Sequence, residues 1–162
     1  MLRITSFIED DRKYVNIEKT YTGYVFYYKN RKVGELVRTV DGFAFIKEVD
    51  LKNHNGLGQY YVYHNKVGTS KAVIDVLEEK FKGFELSYVV KFSEGNKLLG
   101  YIIYDWYYYK RNRKMHQDAD YEVQYQIELP ADIMIYVSEA KTSGKKFIIT
   151  VDYDGKVSYE WT

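Results

Sequence analysis

The chain has 162 residues, of which 46% are hydrophobic and 18% aromatic, and this apolar content argues against wholesale disorder. Its 24 basic and 23 acidic residues give a formal net charge of +1, which argues against a globally basic polyanion binder and against an acidic mimic of nucleic acid. Any electrostatic function must therefore depend on local patches of charge.

The sequence contains no cysteine, so it can form neither disulfides nor thiolate zinc sites. The first residues, MLRITSFIEDDRKY, lack the long apolar segment of a signal peptide. No segment approaches the run of about 18 apolar residues that a membrane-spanning helix needs. We therefore expect a cytoplasmic protein with no membrane partner.

Strand signals dominate residues 1 to 64. Residues with high β propensity, interrupted by turn residues, predict strands there, and Asp41-Gly42 predicts a two-residue hairpin loop. Asparagine and glycine in the segment 51–59 predict a longer loop. The predicted strands of this part are residues 2–8, 14–19, 21–28, 32–39, 42–48 and 59–64.

Residues 70–82 carry the one predicted helix of the chain. Thr69 or Ser70 can cap it, because a side-chain hydroxyl accepts hydrogen bonds from the free amides of the first turn. Apolar side chains then recur at helical spacing, which predicts a helix that packs on a sheet through one face. These side chains are Val73, Val76, Leu77 and Phe81.

The pattern after the helix is again that of strands joined by short polar turns, which predicts antiparallel hairpins. The predicted strands are residues 84–92, 97–109, 121–129, 132–140, 145–153 and 156–162. Together these elements predict an α+β fold. It would be a β-dominated antiparallel twisted sheet or partly closed barrel with one packed helix.

The length favours a single α+β domain over residues 1–162. A soft internal boundary near residues 83–85 would separate a β-meander plus helix, residues 1–83, from antiparallel hairpins, residues 84–162. No linker rich in proline, glycine or serine marks this boundary.

No motif in the sequence predicts a catalytic residue or a cofactor. The three histidines, His54, His64 and His116, form no HExxH pair, and no serine occupies a G-x-S-x-G turn. The segment 55–58, NGLG, lacks the further glycine and the GK[ST] ending of a phosphate-binding loop. We therefore expect a non-catalytic protein with no cofactor and no resident metal.

One triplet offers an alternative. Glu139-Ala140-Lys141 lies on a predicted strand, where alternation would place Glu139 and Lys141 on the same face. The triplet resembles that of metal-dependent nucleases of the PD-(D/E)xK type, and Asp120 would supply the further carboxylate if strands 121–129 and 132–139 pair. Against this Mg²⁺-dependent site, the second half shows no predicted helix to flank the sheet.

The most distinctive stretch is YIIYDWYYYKRNRKMH, residues 101–116. We predict an aromatic strand followed by a basic turn. Cations that contact phosphates and aromatic rings that stack on bases are typical of nucleic-acid binding, whereas a buried aromatic strand with a solvated turn is the structural alternative. The predicted binding residues are Tyr104, Trp106, Tyr108, Lys110, Arg111, Arg113 and Lys114.

These observations favour a small, soluble binding protein that contacts nucleic acid through this aromatic and basic surface. The alternative is a protein-binding modulator or inhibitor that uses the same surface, such as an accessory factor of a phage or mobile element. The nuclease-like site of Asp120, Glu139 and Lys141 is the third hypothesis. The sequence also leaves open a homodimer that forms through an edge strand such as residues 156–162.

Overall fold

A computed structural model describes residues 11–51, 61–64, 69–115, 125–128 and 133–162. Its helices are α1 (Thr69–Lys80), α2 (Trp106–Met115) and α3 (Ile133–Ser143), and a 3₁₀ turn spans Asp11–Tyr14. Its strands are β1 (Val15–Lys19), β2 (Gly23–Tyr28), β3 (Arg31–Arg38), β4 (Gly42–Asp50), β5 (Tyr61–His64), β6 (Glu85–Glu94), β7 (Lys97–Asp105), β8 (Tyr125–Glu128), β9 (Phe147–Val151) and β10 (Val157–Trp161). The predicted strand 2–8 lies outside the described residues.

Eight strands form one open sheet in the order β1-β2-β3-β4-β6-β7-β9-β10, and β5 pairs with β8 in a second, two-stranded sheet. The predicted α+β class with a helix packed on a sheet is confirmed. The sheet is not a partly closed barrel, and it is mixed, because β4 pairs with β6 and β7 with β9 in parallel. Each parallel pair requires a crossover connection. The crossover from β4 to β6 contains the predicted helix, and the crossover from β7 to β9 contains α2 and α3, where strands and a turn were predicted.

The hydrophobic core lies on one face of the large sheet. Cross-strand partners in register share a face, so Phe45, Tyr88, Tyr104 and Val151 line up across β4, β6, β7 and β9, and all four are buried. The helices cover this same face. Directly after α1, the ring of Phe81 contacts Tyr24 and Phe43. In α2, Tyr109 stacks on Tyr88. In α3, Tyr136 contacts Phe147 and Trp161.

The structure confirms the predicted helix, as α1. Val73, Leu77 and Phe81 are buried at its sheet-facing side or just beyond its end, as their spacing predicted. Leu77 is fully buried, and Phe81 extends the apolar stripe onto the rings of the sheet. The apolar stripe therefore attaches α1 to the core.

Two predicted strands are wrong because helices occupy all or part of them. The strand predicted over 97–109 ends at Asp105, whose carboxylate accepts the backbone N–H of Tyr107 at 2.9 Å and so caps α2. The strand predicted over 132–140 is helical from Ile133 onward. In α3, Ile133, Val137 and Ala140 are buried at the i, i+4, i+7 spacing of a helix.

Glycine begins the register of both parallel pairs because the neighbouring backbone comes too close for a side chain. A Cβ at Gly42 would lie 1.9 Å from the carbonyl oxygen of Glu85, and one at Gly100 would lie 2.5 Å from that of Phe147. The Asp41-Gly42 pair does mark a turn. The reason for glycine at position 42, however, is the approach of β6.

We expect Gly42→Ala to lower the free energy of unfolding by about 1–3 kcal/mol, because the new methyl group forces β4 and β6 apart. Urea unfolding followed by circular dichroism measures the change. Val40→Ala is the control, since Val40 is fully exposed in the adjoining turn and its loss should change stability by less than about 0.5 kcal/mol. Equal free energies of unfolding for Gly42→Ala and Val40→Ala would contradict the close approach of the β6 backbone to Gly42.

Candidate nucleic-acid interface

Helix α2 presents two different faces. Trp106 and Tyr109 lie on the inner face and are buried, with their ring centroids 5.4 Å apart. Tyr107 and Arg111 are four positions apart, share the outer face and are exposed. The stretch 101–116 therefore begins as the predicted strand, up to Asp105, and continues from Trp106 as a capped helix with an aromatic inner side.

Tyr104 and Trp106 do not belong to an exposed surface. Their side chains are 1% and 7% exposed, so neither ring can stack on a base without opening the core. Tyr104 lies on the covered face of β7, and Trp106 begins α2 and turns toward the sheet. The burial contradicts the exposed setting predicted for these two residues, because the ring of Tyr104 packs beneath α2 and that of Trp106 lies on the inner face of α2.

The hydroxyl of Tyr104 is buried and has no hydrogen-bond partner among the described residues. Burial raises the pKa of Tyr104 well above that of a free phenol, and the neighbouring Tyr108 raises it further. The two rings are nearly parallel, with centroids 5.9 Å apart. Tyr104 therefore stays neutral and acts as part of the packing beneath α2.

Tyr108 and Arg111 connect α2 to the turn that joins β9 and β10. The Arg111 guanidinium lies 5.4 Å from the centroid of the Tyr108 ring, and its Nη2 donates a hydrogen bond to the backbone carbonyl oxygen of Tyr153 at 2.7 Å. Tyr108 is half-buried, so it supports Arg111 from below. The carbonyl is neutral, so the cation keeps its full charge at the surface.

Lys110 connects α2 to α1. Its Nζ lies 3.4 Å from Oε1 of Glu78, and both side chains are about one-third exposed. This distance is long for a charge-assisted hydrogen bond, which agrees with the absence of a hydrogen-bond partner for that oxygen among the described residues. The pair is therefore a modest ion pair, and it offsets part of the positive charge of α2.

Arg113 and Lys114 also belong to α2, and their side chains lie outside those that the structure describes. The helix thus contains four basic residues within positions 110–114 and no acidic residue. Of the seven predicted binding residues, Tyr108, Lys110 and Arg111 have side chains that are described and not buried. All three lie on one helix, but Tyr108 and Lys110 are two positions apart and point to different sides of it.

Two exposed tyrosines were missed by the sequence analysis. Tyr107 is 72% exposed on α2, and Tyr153 is 56% exposed in the neighbouring turn. The signal that would have found Tyr107 is Asp105, a good helix cap directly before a run that reads WYYYKRNRK. We define the α2 surface as Tyr107, Lys110, Arg111 and Tyr153.

The nuclease-like arrangement is not formed. Glu139 and Lys141 lie in α3, where residues two positions apart point to different sides of the helix, so the same-face argument is wrong. Lys141 Nζ instead pairs with Glu94 Oε2 at 3.1 Å. Asp120 lies outside the described residues, and within those residues no group of three or more His, Asp or Glu side chains is placed to hold a metal ion.

Comparisons of the chain with protein-family models, with curated proteins and with solved structures found no match. Within the described ranges, no helix is long and apolar enough to cross a membrane. The case for a function therefore depends on the geometry and charge of the α2 surface itself.

We expect Tyr104→Phe to raise the free energy of unfolding at neutral pH by about 1 kcal/mol, because it removes a buried hydroxyl that lacks a described partner. The pH dependence should also change. Above about pH 10 the phenol ionises in the unfolded chain but stays protonated in the fold, so wild-type stability falls as pH rises. The variant should lose stability less steeply, by up to about 1.4 kcal/mol per pH unit.

Urea unfolding at neutral pH and at several values above pH 10 measures both effects. Tyr101→Phe is the control, because Tyr101 is half-exposed on the opposite face of β7. Identical pH slopes for wild type and Tyr104→Phe would show that this phenol is not held neutral.

Proposed function

We propose that the protein binds nucleic acid through the α2 surface. The observation that carries the proposal is the composition and exposure of one helix. Four basic residues and no acidic residue lie within positions 110–114, and Tyr107 is exposed one turn before Arg111. This cluster supplies a local positive potential in a chain whose net charge is only +1.

The chemistry of the two exposed side-chain types fits this role. Arg111 keeps donors beyond the one that bonds to Tyr153, and a guanidinium presents five N–H groups in a planar fork suited to phosphate. Tyr107 offers a ring on which an unpaired base can stack. Single-stranded nucleic acid matches this pairing of cation and aromatic ring better than duplex does, because its bases are accessible.

A protein partner is the second candidate function. Tyrosine and arginine are the residue types that dominate protein-interface energetics, and Tyr107, Arg111 and Tyr153 are exposed close together. On this hypothesis the protein is a modulator or inhibitor, such as an accessory factor of a phage or mobile element. A cytoplasmic location, as expected from the sequence, is part of both proposals.

Binding of a fluorescent single-stranded oligonucleotide should weaken steeply between about 50 and 200 mM salt, because phosphate contacts release counterions. Arg111→Gln should lower the affinity and reduce the slope of log K against log salt by about one. Lys145→Gln is the matched control, since Lys145 is exposed just before β9, at the strand end remote from the turn that Arg111 contacts. Binding that ignores salt would refute phosphate recognition.

Tyr107→Ala should weaken binding of the same oligonucleotide by about 1–3 kcal/mol, the contribution of one base–aromatic stack, while the salt slope stays unchanged. Tyr21→Ala removes a fully exposed tyrosine in the turn between β1 and β2 and should have no effect. If oligonucleotide binding is absent and a protein is retained from nuclease-treated lysate only by chains with intact Tyr107, the second candidate replaces the first.

A further inference from the structure

Strand β10 ends the large sheet, and no described strand pairs with its outer side. Along this strand, the backbone N–H and C=O groups of successive residues point alternately toward β9 and away from it. Lys146 and Thr162 exchange two hydrogen bonds, so the residues in phase with Thr162 direct their N–H and C=O groups toward β9. Val157 and Trp161 are in the other phase, and their backbone groups point away from the sheet.

The side chains of this edge carry complementary charges. Glu160 lies on the sheet face opposite the helices, and Lys156 precedes β10 in the same phase. The antiparallel pairing reaches Lys156, because its carbonyl oxygen accepts the N–H of Asp152 at 3.0 Å. Both side chains are exposed, and neither forms an ion pair with a described residue.

We propose that β10 is a self-association edge, at which a second copy of this chain adds its own β10 in antiparallel orientation. Outward-pointing backbone groups of the two copies meet only in registers whose twofold axis passes beside a residue, and the registers with the axis beside Ser158 or Tyr159 also bring Lys156 near Glu160 of the second copy. In the first register Lys156 lies directly opposite Glu160 of the second copy, and in the second it lies diagonally across, within reach of a long side chain. Symmetry forms the ion pair twice in either case.

A second copy of this chain is the favoured partner of the β10 edge, because the charges of that edge are complementary to those of an antiparallel copy of itself. An antiparallel strand needs a cation opposite Glu160 and an anion opposite Lys156, and β10 supplies both at the required spacing. On the helix side of the edge, Tyr159 is 46% exposed while its ring stacks on Tyr136 of α3, so the joined edges would also cover aromatic surface. The result is one continuous sheet with both sets of helices on the same side.

Sedimentation velocity over a range of protein concentrations tests this proposal. Wild type should dimerise, whereas Lys156→Glu and Glu160→Lys should each weaken dimerisation by about tenfold or more, because each places like charges together twice. An equimolar mixture of the two variants should dimerise again, since glutamate at position 156 then faces lysine at position 160. The combined variant Lys156→Glu/Glu160→Lys should also dimerise.

Lys145→Glu is the matched control, because it makes the same charge change outside β10 and should leave the dimer intact. Far-UV circular dichroism and thermal unfolding confirm that each variant is folded, as expected for exposed side chains. A wild-type chain that stays monomeric at the highest concentration overturns the proposal. A dimer that both single reversals leave unchanged also overturns it, because the interface must then lie elsewhere.

Discussion

The aromatic layer between α2 and the sheet fixes what the molecule exposes. Tyr109 stacks on Tyr88 with ring centroids 3.8 Å apart, and Trp106 packs against Tyr109. Such ring pairs stabilise by roughly 0.5–1.5 kcal/mol beyond the burial of their area. Because both of these α2 side chains are buried in the core, they fix the rotation of the helix about its own axis. Tyr107 and Arg111 must then face outward. Of the consecutive tyrosines 107–109, Tyr107 is therefore exposed and Tyr109 is buried.

The two crossovers constrain the fold further. Strand β4 is parallel to β6, β6 is antiparallel to β7, and β7 is parallel to β9, so β4 and β7 run in opposite directions. Both crossovers step the same way along the sheet, and both place helices on the core-bearing face. The first strands of the two crossovers run in opposite directions, whereas the step along the sheet and the helix-bearing face are the same, so the two crossovers have opposite handedness. One of them is therefore left-handed, which is uncommon. Covering a single face with all three helices requires this departure.

The sequence predicts elements of this fold where the spacing of apolar residues and the turn residues agree, as in α1 and most strands of the large sheet. The two missed helices show why the rest could not. Ile, Val and Tyr favour strands because they fit a half-buried pleated surface, yet a helix that lies on a sheet needs the same side chains on its inner face. In α3, Ile133, Val137 and Ala140 carry the helical spacing, but Met134 and Ile135 between them hide it. The parallel pairing of strands has no local signal in the sequence, because the paired residues are more than forty positions apart, as Gly42 and Glu85 are.

The α2 surface and the β10 edge meet at one turn. Arg111 bonds to the Tyr153 carbonyl in the turn that β10 follows, while Asp152 accepts the backbone N–H groups of Asp154 at 3.0 Å and of Lys156 at 2.8 Å. A twofold axis at β10 is perpendicular to the sheet, so two joined copies would present both α2 surfaces on the same side. Under the proposed function, a nucleic-acid strand long enough to span both surfaces would then bind the second intramolecularly, at a high effective concentration. Self-association would thus raise the affinity of a surface that, in a single copy, offers few exposed cations and two exposed rings.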